Sequence, residues 1–162
     1  MEEYQQQWRK LNGQKIKGPL SDEVKQAIAN EMAMGHRIQV CVGTDSQVKA
    51  GCIEFATVIV FVRKGNGAFM FISKETVTQK MNIKERMMHE VSRSIEVAYE
   101  ISPVLESFNM NVEVHADINA SEAFKSNVAL KDAAGYVNGM GFMFKAKPQA
   151  FASSSCANKI VQ

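Results

Sequence analysis

The stretch IEFATVIVFV, residues 53–62, is the tightest constraint on how this chain can fold. It is rich in β-branched and aromatic side chains and apolar at odd and even positions alike. A strand with one wet face would alternate instead, so this one must be covered on both sides. Before it, Ile38, Val40, Val42 and Thr44 alternate with Gln39, Cys41, Gly43 and Asp45. After it, Lys64-Gly65-Asn66-Gly67 reads as a turn into AFMFI, residues 68–72, which makes a hairpin.

The remaining elements follow from period and punctuation. Ser21, Asp22 and Glu23 form a helix start, with a capping hydroxyl and then acids at the positive end of the dipole. Val24, Ile28 and Met32 continue that helix to Gly35. A long helix is predicted over 82–101, ending before Pro103, and a strand over 111–117. Next come a helix over 121–138, a strand over 141–146 stopped by Pro148, and a short helix over 151–161. Residues 1–20 carry no periodicity and read as an irregular arm. The expected architecture is α/β: an N-terminal helix, then β-β-β-α-β-α-β-α. This order builds a five-stranded mixed sheet with helices on both faces, one domain over residues 21–162.

A chain of 162 residues is long enough to bury one such core. Its longest apolar run, at 56–62, is too short to span a bilayer, and MEEYQQQWRK lacks a secretory pattern. Three scattered cysteines without a CxxC pair read as reduced thiols of a cytoplasmic protein. A net charge of +2 permits nucleic-acid binding without arguing for it.

Three acids stand where such a fold places ligand sites. Asp45 closes the first strand and Asp117 closes VEVHAD, so neighbouring strands would bring the two tips roughly 5 Å apart. In the long helix Ile83, Met87, Glu90, Val91, Ser94, Val97, Ala98 and Ile101 form one stripe. Ile83, Glu90 and Val97 differ by only about 20° per heptad, so Glu90 faces inward, while Glu85 and Glu96 face solvent. Taken singly, each acid has a plain explanation. Asp45 suits a turn, Asp117 suits a helix cap, and Glu90 suits an ion pair with Arg86 or Arg93. Taken together, three carboxylates converging on one sheet end make a site for a hard cation, Mg²⁺ or Mn²⁺.

The order of elements and these acids resemble the ribonuclease H-like superfamily. VGTDSQ (42–47), KERMMHE (84–90), VEVHADIN (112–119) and KPQAFASSSCAN (147–158) are similar to the bacterial YkuK-type family of ribonuclease H-related nucleases. The resemblance runs from about residue 20 to the C-terminus. It implies that Asp45, Glu90 and Asp117 are catalytic metal ligands. It also implies two-metal hydrolysis of phosphodiester bonds in RNA, RNA–DNA hybrid or structured DNA. The superfamily's classical nuclease takes a fourth carboxylate from its last helix, whereas this chain has no Asp or Glu after Asp132. Asn158, or a serine of Ser153-Ser154-Ser155, takes that place, and a neutral oxygen weakens the second metal site. The alternative is a catalytically weak or inactive module that keeps the fold and binds nucleic acid or a protein partner. Ser46, Gln47, Asn119, Lys145 and Lys147 are the candidate substrate contacts, with Lys125 and Lys159 further out. His115 shares a strand face with Asp117 and reads either as a structural histidine or as a proton-transfer group.

Overall fold

The computed structural model describes residues 6–119 and 130–162. In chain order the elements are β1 (Arg9–Lys10), α1 (Leu20–Ala33), β2 (Ile38–Lys49), β3 (Cys52–Arg63), β4 (Ala68–Val77), α2 (Ile83–Ser107), β5 (Val112–Asn119), α3 (Leu130–Gly139) and β6 (Met143–Lys147). A π-helical segment, Ala152–Ala157, then runs directly into α4 (Asn158–Val161). The run read as doubly covered is β3. It pairs antiparallel with β2 on one side and β4 on the other. The sheet order is β1-β4-β3-β2-β5-β6, with β2, β5 and β6 mutually parallel.

The sheet is therefore mixed, as expected, but has six strands rather than five. The sixth comes from the arm read as irregular: Arg9 pairs with Ile72 and Lys10 with Phe71. Trp8 anchors this piece in the main core at 6% exposure, and the Ile16 N–H closes on the Trp8 carbonyl. Two paired residues are too few to leave an alternation in the sequence.

The pleat sorts the two faces. Val40, Val42, Ile59, Phe61, Val112 and Val114 meet Val24, Ile28, Val91, Ala98, Ile101 and Leu105 of α1 and α2 on one side. Cys41, Val58, Val60 and Ile72 meet Ala152 and Ala157 on the other. Gly43 lets the C-terminal segment lie directly on β2. A Cβ there would stand 2.4 Å from the Ser153 nitrogen and 2.5 Å from the Ala152 carbonyl carbon.

Several boundaries differ from their signals for identifiable reasons. α1 begins at Leu20 with Pro19 in the cap position, so Ser21 lies inside the first turn; the Pro19 carbonyl accepts from the Asp22 and Glu23 N–H groups. α2 continues through Pro103 to Ser107. Pro103 and Tyr99, whose carbonyl loses its partner, both lie on the exposed face, where the freed carbonyl is open to solvent. Ile83, the first residue of α2, is 40% exposed and stands outside the buried stripe. Just before it, the Asn82 side chain accepts from the Glu85 N–H and donates to its carboxylate, capping the helix. The expected start of the next helix at Ser121, and Lys125 within it, lie outside the described residues. Among the described residues, no helix is long and apolar enough to cross a membrane.

Candidate active site

β2 and β5 pair in parallel from Val40–Val112 to Thr44–Ala116, and there the pairing stops. β2 does not end at that point. It continues with β3 through Asp45–Ala56 to Lys49–Cys52, so Asp45 is neither a strand terminus nor a turn residue. β5 meanwhile shifts register toward β6 between His115 and Asn119. Asp45 and Asp117 are thus the first residues beyond the shared pairing, at a fork between two strands. By alternation both share the face that carries Cys41 and Gly43 on β2, and Glu113 and His115 on β5.

Glu90 reaches the same fork from the opposite face. Thr44 and Ser46, even-numbered on β2, point toward α2. Thr44 Oγ1 lies 2.7 Å from Ser94 Oγ and 3.0 Å from Thr57 Oγ1. Ser46 Oγ donates to Glu90 Oε1 at 2.5 Å. Glu90 and Ser94 are one helical turn apart, so two strand hydroxyls two positions apart fix the register of α2 on the sheet. Glu90 is 3% exposed and Asp45 4%. The nearby arginine Arg93 is committed elsewhere, to Glu75 and Glu96.

The remaining partners come from the C-terminal part of the chain. Asn158 Nδ2 donates to Asp45 Oδ2 at 2.8 Å, while the Asn158 amide oxygen accepts from Gln162 Nε2. The other Asp45 oxygen accepts the Ser46 N–H. Lys147 Nζ stands 2.7 Å from Asp117 Oδ1.

Burial pushes the Asp45 carboxyl up to about 6, and the neighbouring Asp117 charge adds to the rise against the Asn158 and Ser46 hydrogen bonds. Burial also holds Glu90 well above the usual carboxylate range, reinforced by the charges of Asp45 and Asp117 and opposed by Ser46 and Arg86. Asp45 and Glu90, both raised by burial and by the carboxylate charge beside them, occupy the kind of uncompensated space that a cation relieves.

The other predicted contacts divide. Ser46 and Lys147 touch the carboxylates. Gln47 is exposed on the β2 extension, opposite Glu54. Asn119 ends β5 in register with Lys147. Lys145 goes to Glu113 at 3.6 Å, and Lys159 is exposed on α4.

One cluster escaped the sequence reading. Cys41, Glu113 and His115 are buried, with ligand atoms all within 4.8 Å of one another, so the group could hold a metal ion. Its atoms also serve one another: the Cys41 thiol donates to Glu113 Oε2, and the Ala152 N–H donates to His115 Nδ1. Burial and the Lys145 charge pull His115 down to about 4. The signal was present in VEVHAD, whose polar residues Glu113, His115 and Asp117 all alternate onto one face.

Comparison with known proteins agrees with this architecture. The chain is 27% identical over 135 residues to the uncharacterized protein YkuK of Bacillus subtilis (strain 168), covering 75% of this chain and 77% of that protein. No solved structure matches the chain significantly. Residues 20–162 match the family model "Ribonuclease H-like", from the helix α1 to the last residue. The chain belongs to the ribonuclease H-like family.

Proposed function

We propose that the protein is a divalent-metal-dependent nuclease that hydrolyses phosphodiester bonds in RNA, RNA–DNA hybrid or structured DNA. The observation that carries this reading is the meeting of Asp45, Glu90 and Asp117, from three separate elements, at the β2–β5 fork. Their all-oxygen donor set and excess negative charge fit Mg²⁺ or Mn²⁺. When bound, such an ion supplies Lewis-acid polarisation of a phosphoryl oxygen and lowers the pKa of water.

The chain's own residues do the rest. Asn158 and the Ser46 N–H hold Asp45 in one rotamer, and the Ser46 hydroxyl holds Glu90. Lys147 and Lys145, each more than a third exposed, offer cationic heads to backbone phosphates. Gln47 and Asn119 flank the fork and reach sugar or phosphate.

A second reading has its own support. Asn158 replaces the expected fourth acid, and protein groups already engage Asp45 by a hydrogen bond and Asp117 by an ion pair, as they would in a non-catalytic nucleic-acid-binding module. Incubation of the purified protein with Mn²⁺ and end-labelled RNA, hybrid and branched DNA separates the two. The nuclease reading expects cleavage that falls at least about a hundredfold in Asp45→Asn and Asp117→Asn. Intact substrates, with binding that survives both substitutions, would establish the module instead.

A further inference from the structure

The β2–β5 fork carries three carboxylates but, among the described residues, a single cation in ion-pair contact with them, Lys147. Arg86 acts on Glu90 only through its charge, with no ion-pair contact between them. With Lys147 paired to Asp117, Asp45 and Glu90 remain, and once ionised the two match the charge of one divalent ion. The position that would complete a second ion's ligand set offers the wrong end of an amide. Asn158 directs its NH₂ group at Asp45, and its oxygen is taken by Gln162. An N–H donor repels a cation and occupies an Asp45 oxygen that a second ion would need.

Resting on the nuclease reading above, we propose that this centre holds one divalent ion and that Lys147 supplies the second positive charge in place of a second ion. The position of Lys147 suits this role. It ends β6 in register with Asn119 of β5, so a sheet edge fixes its backbone. Its side chain is 39% exposed, so the ammonium is accessible from solvent. An ammonium has three protons, and one can stay on Asp117 while another meets a phosphate oxygen. There it offsets charge that develops as the phosphodiester bond breaks. Lys145 cannot substitute, since Glu113 already engages it deeper along the same two strands.

Counting bound Mn²⁺ tests this directly, by isothermal titration calorimetry and by the electron paramagnetic resonance signal of free Mn²⁺ on the full chain. The wild type is expected to bind one ion per chain, and Asp45→Asn none. Lys147→Met is expected to bind Mn²⁺ about tenfold more tightly, because it removes a competing charge, while cleavage drops. Lys147→Arg keeps the charge and is expected to hold the wild-type count and affinity. Two ions per wild-type chain, or unchanged or weaker Mn²⁺ binding in Lys147→Met, would overturn the proposal while leaving the nuclease reading intact. No Mn²⁺ bound at all would overturn both.

Discussion

A buried carboxylate costs stability when nothing neutralises it, and Asp45 is such a group. Its carboxyl is raised from 3.8 to about 6 by burial and by Asp117. Between those values the folded chain binds a proton that the unfolded chain has released, so this group's contribution to stability falls as pH rises from about 4 to 6. Glu90, raised for the same reason, extends the window upward. Asp45→Asn is therefore expected to stabilise the metal-free protein at pH 7, on the order of 2 kcal/mol, with the gain vanishing near pH 4. Thermal denaturation in chelator across that pH range checks it; a destabilised variant at pH 7 would show that the charge is already compensated. At this scale the acids were legible because strand alternation and helical period decide which way a side chain faces. Lys147's choice of Asp117 and the orientation of the Asn158 amide were not. Both depend on a carboxylate far away in the chain and on which end of a side chain reaches the fork.

Elements place these groups, and the most exacting contact is between β2 and the C-terminal segment. The Gly43 Cα faces backbone atoms of Ala152 and Ser153, so a methyl group there must push the segment outward. Gly43→Ala is expected to cost about 1–3 kcal/mol and to weaken Mn²⁺ binding, although position 43 contacts none of the three carboxylates. The melting temperature and the Mn²⁺ affinity of that variant measure the two effects. Asn158 sits one residue beyond the displaced segment, so lifting it breaks the hydrogen bond to Asp45. Element types were readable from period. Boundaries were less so. β2 runs past Asp45 because β3 still pairs with it after β5 has left, which is a property of neighbours and not of the GTDSQ sequence. α2 passes Pro103 because that face is wet, and no local rule distinguishes a wet proline from a helix stop.

Across the whole molecule, the arm before α1 is part of the fold. Trp8 lies in the core that backs the sheet, and Trp8→Ala is expected to destabilise by about 3–5 kcal/mol, readable as a lowered denaturation midpoint. The fork draws the oxygen-only set of Asp45, Glu90 and Asp117 from both faces of the sheet, whereas the buried set of Cys41, Glu113 and His115, close enough together to hold a metal ion, belongs to the face opposite α2. They differ in chemistry, since oxygen donors suit Mn²⁺ and thiolate with imidazole suits softer ions. The central claim is that the first set holds the ion. Its most direct test is the Mn²⁺-induced thermal stabilisation of three proteins: wild type, Glu90→Gln and Cys41→Ala. At a hundredfold excess over Kd, the wild type and Cys41→Ala are each predicted to gain about 2.7 kcal/mol, and Glu90→Gln almost nothing. Full stabilisation of Glu90→Gln, or its loss in Cys41→Ala, would contradict the account.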